Sequence, residues 1–299
     1  MFIDIHAHAY RVEPPPWPVR FCTPEELLRR YDELGIEKGV LLPIVSPEIY
    51  IPQSTEDILE ICERYPDRFI PFCNVDPRAI TNSPDAPLEK LLQYYKDKGC
   101  KGLGEVMPNM ELGDPMVQNL FRAAEAVGMP VIFDGAVRKF GDFGLYDDPG
   151  LPQLEWTLQC FPNLIILGHG PLFWSEIGRL KTPGERGSAY CIGGRRTSRR
   201  PEGPIEEEGV VPVLMRRYPN LYGDLSDFNG YNALARDPEY GPRFLTEFQD
   251  RLLFGTDICF PDMPVPLVDL LIEWRDNGKI SEEVFNKVAH ENSVRLLGL

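Results

Sequence analysis

The sequence is poor in positive charge and in histidine. Its 31 Lys+Arg stand against 46 Asp+Glu, a formal net charge of −15. A field of that sign repels polyanions, which argues against nucleic acid as a partner and leaves small molecules. Nowhere do about 18 apolar residues run together, and the opening MFIDIHAHAY has no basic start followed by an apolar stretch. The expectation is a cytoplasmic protein with no membrane partner. The seven Cys (22, 62, 73, 100, 160, 191 and 259) form no CxxC pair and mostly lie in apolar segments, as expected of free buried thiols in a reducing compartment. Also missing are GxGxxG and GxxxxGK[ST], the phosphate loops that an open doubly wound sheet would carry after an early strand.

What is present is an alternation of short β-rich runs with amphipathic helical runs, repeated eight times. The strand candidates are Phe2–His6, Gly39–Ile44, Phe69–Val75, Gly102–Val106, Val131–Asp134, Leu164–His169, Leu221–Leu225 and Leu252–Asp257. Runs such as VLLPIV and LIILG are apolar almost throughout, as in parallel strands buried on both faces. Among the helices, Pro24–Leu34 has Thr23 as N-cap, Thr55–Tyr65 has Ser54, Pro115–Val127 opens with Asp114–Pro115, and Ser281–Leu297 carries Glu282 and Glu283 in its first turn. Eight βα units in series within 299 residues predict one domain, residues 1–299: an α/β chain closed as a distorted (β/α)8 TIM barrel. The rhythm breaks once, at 178–209, between the sixth and seventh strands. An insertion there follows a strand's C-terminal end, so it is expected to overhang the face where barrel active sites lie.

His6 and His8 stand two apart on the first strand and therefore face the same way, with Asp4 below them. In a regular strand Ile3, Ile5 and Ala7 would pack under the helices while Asp4, His6 and His8 face the barrel interior, where polar groups need partners or a metal. The chain has only four His. A third, His169, ends the sixth strand in ILGHG, and Asp257 ends the eighth in LLFGTD. Strands one, six and eight of a closed barrel open on one mouth, so these residues can surround a divalent ion of the zinc type.

With FIDIHAH at the start, PVIFD at the fifth strand, LIILGHG at the sixth, NLYGDLS at the seventh, LLFGTD at the eighth and ENSVRLLGL at the end, the chain resembles the amidohydrolase superfamily along its whole length. In detail it is similar to the amidohydrolase-related branch that includes aminocarboxymuconate-semialdehyde decarboxylase. That resemblance implies a barrel in which the His pair of strand one, a His of strand five and the Asp of strand eight hold one metal while the strand-six His works in catalysis. A homodimer is plausible on the same ground. Here Asp134 stands where the family has its strand-five His. A carboxylate there tilts the site toward Zn, Mn or Fe, or marks a weakened site; ligand and non-ligand readings both stand. Glu105, ending strand four in GLGEV, is an extra ligand or an acid/base group, or else a carboxylate paired with an arginine.

The expected metal set is thus His6, His8, Asp134, Asp257 and Glu105, holding one divalent cation, zinc first. The expected catalytic set is His169, Asp257 and Glu105. Asp224 and Asp227 either line the site or cap loops, and His290 on the last helix is a surface or packing residue. Phe173 and Trp174 wall a pocket or pack the core. Arg179, Lys181, Arg186, Arg195, Arg196, Arg199 and Arg200 in the insertion suit recognition of an anionic small substrate, unless Glu206 to Glu208 neutralise them. The leading reading is a metal-dependent hydrolase of a small, carboxylated molecule acting through a metal-activated water. Non-oxidative decarboxylation is the alternative reaction, and a non-catalytic barrel with a degraded metal site is the third reading.

Overall fold

The computed structural model describes residues 1–13, 20–49, 53–186 and 200–299. Eight parallel strands carry the fold: β1 (Phe2–Ala7), β2 (Ile36–Leu41), β3 (Phe69–Pro71), β4 (Leu103–Val106), β5 (Val131–Ala136), β6 (Ile166–His169), β7 (Leu221–Asp224) and β8 (Leu252–Leu253). They form two arcs in chain order, β1 to β3 and β4 to β8. At one seam Cys73 bridges Leu103 in parallel, with Cys73 N donating to Gly102 O at 3.0 Å and Gly104 N to Cys73 O at 2.9 Å. At the other Ala7 bridges Ile258, and Ile5 N donates to Phe254 O at 3.0 Å. Strand follows strand around an α/β barrel, with helices on the outside. The pair Leu145–Tyr146 extends the sheet beyond β5.

The helix starts lie where their caps put them. Thr23 and Glu26 form a reciprocal capping box on Pro24–Leu34, which ends at left-handed Gly35; Ser54 and Asp57 do the same for Thr55–Arg64; Asp114 caps Pro115–Val127. The C-terminal helix is not continuous over 281–297. A π-turn over Lys287–Glu291 separates Glu282–Asn286 from Asn292–Leu297, and the Val288 carbonyl accepts from Phe254 N at 2.9 Å. A local loosening of the helix thus satisfies the backbone just past β8, which periodicity alone does not reveal.

Apolar strand residues divide between two layers. Ile5, Val40, Leu42, Ile70, Phe72, Ile132, Leu167 and Leu253 form the barrel interior, closed at one end by Leu297. Their neighbours Leu41, Phe69, Val131, Phe133, Ile166 and Leu252 face the helices. Ile5 therefore points inward and Asp4 outward, where it accepts from Tyr31 Oη at 2.8 Å, opposite to the faces expected from strict alternation. The reason is one extra residue in β1. Asp4 pairs with Gly39 and Ala7 with Leu41, so three steps on β1 match two on β2, and a bulge of one residue exchanges faces. Strand eight is likewise shorter than 252–257, because residues beyond Leu253 leave the ladder to bond with β1 while Asp257 takes a left-handed conformation (φ 56°). Of the six Cys described, none is in a disulfide; Cys22, Cys62, Cys73 and Cys100 are buried, while Cys160 is exposed; Cys191 lies outside the described residues.

The neck of the insertion is closed by an antiparallel bridge between Gly178 and Glu208. Arg186 is buried, its guanidinium spent on Glu176 and on the carbonyls of Asp147 and Asp148 at 2.6 Å. Arg179 pairs with Glu207 at 2.6 Å and Lys181 with Glu206 at 3.7 Å. Arg179, Lys181 and Arg186 thus face this chain's own acids, while the Arg200 guanidinium lies over the Phe228 ring at 5.2 Å. Arg195, Arg196 and Arg199 lie outside the described residues.

Candidate metal centre

The bulge in β1 and the closing hydrogen bonds to β8 bring the mouth residues together. His8 N donates to Ile258 O at 2.9 Å and Asp257 N to His6 O at 2.7 Å, which fixes Asp257 against the histidine pair. His6, His8 and Glu105 are almost wholly buried, and Asp257 is the most open of the four, with 21% of its side chain exposed. His6 Nε2 lies 3.2 Å from His8 Nε2, 3.3 Å from Glu105 Oε2 and 3.4 Å from Asp257 Oδ1. His8 Nε2 lies 3.5 Å from the same Glu105 oxygen and 3.4 Å from the same Asp257 oxygen. In a regular tetrahedron with corners about 2.1 Å from the centre, the bond length of zinc to N and O ligands, the edges are about 3.4 Å. These separations match such edges, and His6, His8 and Glu105 form one group with donor atoms within 4.8 Å of one another while His6, His169 and Asp257 form another, so the pocket offers donors suited to a divalent cation.

The far nitrogens settle which way the lone pairs point. His8 Nδ1 is 2.9 Å from the Leu42 carbonyl, which can only accept, so Nδ1 donates. His6 Nδ1 is 2.7 Å from Asp224 Oδ2, a carboxylate held below its ordinary pKa: burial opposes this, but the His6 and His169 charges outweigh it. Both Nε2 atoms of the neutral imidazoles therefore aim lone pairs at one point. A carboxylate or carbonyl behind a ligating histidine is the usual support of a metal site. With no metal, protons take the cation's place. Burial disfavours charge on His8, yet hydrogen bonds with Asp257 and Glu105 prevail and raise its pKa to about 9. Burial likewise pushes Glu105 up, but the charge of His6 and hydrogen bonds from His6 and His8 hold it well below the usual carboxylate range.

His169 and Asp134 form the adjoining wall. His169 Nδ1 meets Ser226 Oγ at 3.0 Å and Asp224 Oδ2 at 3.4 Å, leaving Nε2 toward Glu105 Oε1 at 3.8 Å. Asp134 pairs in register with His169 across β5 and β6, and Glu105, Asp134 and His169 bring donor atoms within 4.8 Å of one another. Burial, then the charges of Glu105, Asp142 and Asp257, raise the Asp134 pKa. Gly170 makes room for it: a Cβ there would lie 1.9 Å from Asp134 Oδ1.

Asp224, which the sequence left between lining and capping, is the buried support of two imidazoles. Its β7 position is the only sequence signal, since nothing in GDLS distinguishes a support from a cap. Asp4, outside the mouth, ties β1 to β8 by accepting from Thr256 N at 2.9 Å and Thr256 Oγ1 at 2.6 Å. Phe173 and Trp174 belong to the core, with Trp174 Nε1 donating to Asp224 O at 2.8 Å. His290 lies 3.8 Å from Glu37, away from the site. No helix among the described residues is long and apolar enough to cross a membrane.

Residues 3–299 match a family model described as Amidohydrolase. No curated protein matches. Among solved structures, an uncharacterised TIM-barrel protein from Bordetella bronchiseptica is 19% identical, with 99% of this chain and 98% of that chain covered at a TM-score of 0.63. A probable 2-pyrone-4,6-dicarboxylic acid hydrolase from Acinetobacter baumannii, with citric acid bound, is 15% identical over 100% and 99% of the two chains, at 0.59. A 5-carboxyvanillate decarboxylase from Sphingomonas paucimobilis is 15% identical over 100% and 99%, at 0.60. At such identities these likenesses establish the fold.

Proposed function

Because this chain belongs to the amidohydrolase family, we propose that it is a metal-dependent hydrolase of a small carboxylated molecule. The observation that carries the reading is the convergence of the His6 and His8 Nε2 atoms with Glu105 and Asp257 carboxylate oxygens, each pair of a nitrogen and an oxygen 3.3 to 3.5 Å apart. A divalent cation, zinc first, with manganese or iron also suited to the set, would lower the pKa of a water and polarise a carbonyl. Asp257, the member open to the pocket, takes up the proton of the attacking water. His169, with Nδ1 3.0 Å from Ser226 Oγ, turns Nε2 toward the pocket and steadies the developing oxyanion. Asp134 stands beside Glu105 and His169 and adds a ligand or holds a water. The carboxylated substrate is supported by the relatives, one a probable hydrolase of a pyrone dicarboxylic acid.

A second reading, decarboxylation, is favoured by the 5-carboxyvanillate decarboxylase likeness. One experiment separates them. Zinc-loaded protein is offered 2-pyrone-4,6-dicarboxylate, followed by loss of ring absorbance, and 5-carboxyvanillate, followed by carbon dioxide release. Ring opening supports hydrolysis and gas release supports decarboxylation. A protein that takes up no stoichiometric metal refutes both, leaving a non-catalytic binding barrel.

A further inference from the structure

We propose that the adjoining outer faces of helices Pro152–Cys160 and Val210–Arg217 form a two-fold contact with a second copy of this chain. The proposal is independent of the reaction assigned above. The two helices lie side by side. Glu155 pairs with Arg217 and accepts from Tyr218 Oη at 2.9 Å, while Gln159 Nε2 donates to Tyr218 Oη at 2.6 Å. Leu154 and Leu158 of the first helix and Val211, Leu214 and Met215 of the second turn inward to the core. What they leave outside is unusual for this chain. The exposed residues of the first helix are Pro152, Trp156, Gln159 and Cys160, and none carries a charge, whereas every other described α-helix with an exposed residue has a charged one among them. Trp156 is 48% exposed, and Val213, one turn before Arg217 on the second helix, is 40% exposed. A helix with apolar side chains on its outer as well as its inner face is the pattern of one covered on both sides, and tryptophan is among the side chains that anchor interfaces.

The charges say what covers this face. A chain at −15 repels its own copies, so two copies meet where acids are absent or matched. The two helices contribute one acid, Glu155, and two bases, Arg216 and Arg217, of which Arg216 is taken by Glu208 and Glu247. Glu155 and Arg217 remain as a pair beside Trp156. A two-fold axis passing near Trp156 turns Arg217 of each copy toward the partner's Glu155 and sets the two indoles together. That is the self-complementarity an isologous contact requires. Helices of 9 and 8 residues, each about 10 Å across, cover less than the roughly 800 Å² per partner of a standard interface. The dimer therefore belongs to the weak class and forms at micromolar concentration.

The test is light scattering of the full-length protein over about 1 to 200 µM, with the far-UV spectrum and Tm recorded for each variant. The mass of the parent should rise with concentration to twice that of one chain. Trp156→Glu and Val213→Glu should each hold it at the mass of one chain. Arg217→Glu and Glu155→Arg leave the core untouched and carry the test should Trp156→Glu lower the Tm. Each should weaken the dimer about tenfold or more by like-charge repulsion across the axis, and an equimolar mixture of the two should re-form it, because its protomers carry matched charges. Cys160, one turn on from Trp156 and exposed, supplies an independent readout: a short bismaleimide should join two parent copies and fail with Cys160→Ser. A parent at the mass of one chain throughout leaves the face to a different protein and overturns the proposal. A dimer that survives both Trp156→Glu and Val213→Glu, or cross-links equally well in Cys160→Ser, has its interface elsewhere and overturns it too, and a mixture that stays dissociated refutes the two-fold pairing.

Discussion

Asp224→Asn isolates the support behind the metal ligands while leaving volume and shape intact. Asp224 is fully buried, accepts from His6 Nδ1 at 2.7 Å and from Ser226 N at 2.9 Å, and also faces His169 Nδ1 at 3.4 Å. As a carboxylate it can only accept, which keeps the His6 proton on Nδ1 and the lone pair on Nε2. An asparagine amide can turn its NH2 toward Nδ1, which moves the proton to Nε2 and removes a ligand; in the other orientation it still accepts, without the charge that makes the imidazole more basic. Supports of this kind are worth about ten- to a hundredfold in metal affinity, or about 1.4 to 2.8 kcal/mol. Zinc affinity measured by competition with a chromogenic chelator should fall by that factor, with the far-UV spectrum unchanged. An affinity within twofold of the parent's would refute the argument that Asp224 sets the His6 tautomer.

Zinc must displace the proton that His8 holds at a pKa of about 9 in the metal-free protein, so affinity should rise between pH 6 and pH 8 by up to about tenfold per unit for that one proton; a flat profile over that range counts against a His8 ligand. By linkage the same group stabilises the metal-free fold fully below its unfolded pKa of about 6.5, and that contribution disappears as pH rises through about 9, which denaturant titration of the metal-free protein checks. Arg186→Met strands buried Glu176 and should cost about 3 to 5 kcal/mol, read as a fall in the denaturation midpoint, whereas Arg186→Met with Glu176→Leu should recover much of it. Asp134→His should tighten zinc binding, and Asp134→Ala should weaken it about ten- to a hundredfold; unchanged affinity in both removes Asp134 from the site.

The legible part of the fold was the part written in local chemistry. Thr23, Ser54 and Asp114 mark helix starts because a side-chain oxygen can satisfy free N–H groups from any such position. Apolar runs and their turns gave eight strands in order, since a parallel strand buried on both faces has few other compositions. Strand ends were less legible. Leu252–Leu253 is short because the following residues bond to β1 instead of continuing the β8 ladder, a decision made by a partner some 250 residues away in the chain. The π-turn over Lys287–Glu291 has the same origin, a carbonyl recruited by Phe254 N.

The site divides along the same line. His6, His8, Glu105, Asp134 and Asp257 were readable as a group because each falls at or near the C-terminal end of a strand candidate, and strand ends of a barrel share one mouth. One premise of that reading fails: alternation along β1 is broken by the bulge, and Asp4 leaves the interior to bond Tyr31 and Thr256. The extra residue lies between Asp4 and Ala7, at the histidine motif itself, yet the His6 and His8 Nε2 atoms still meet at 3.2 Å while Asp4 turns to Tyr31. The two imidazoles share one pocket, whereas the face of the residues before the bulge does not follow from theirs. That difference explains why HAH could be read from sequence and the Asp4 face could not.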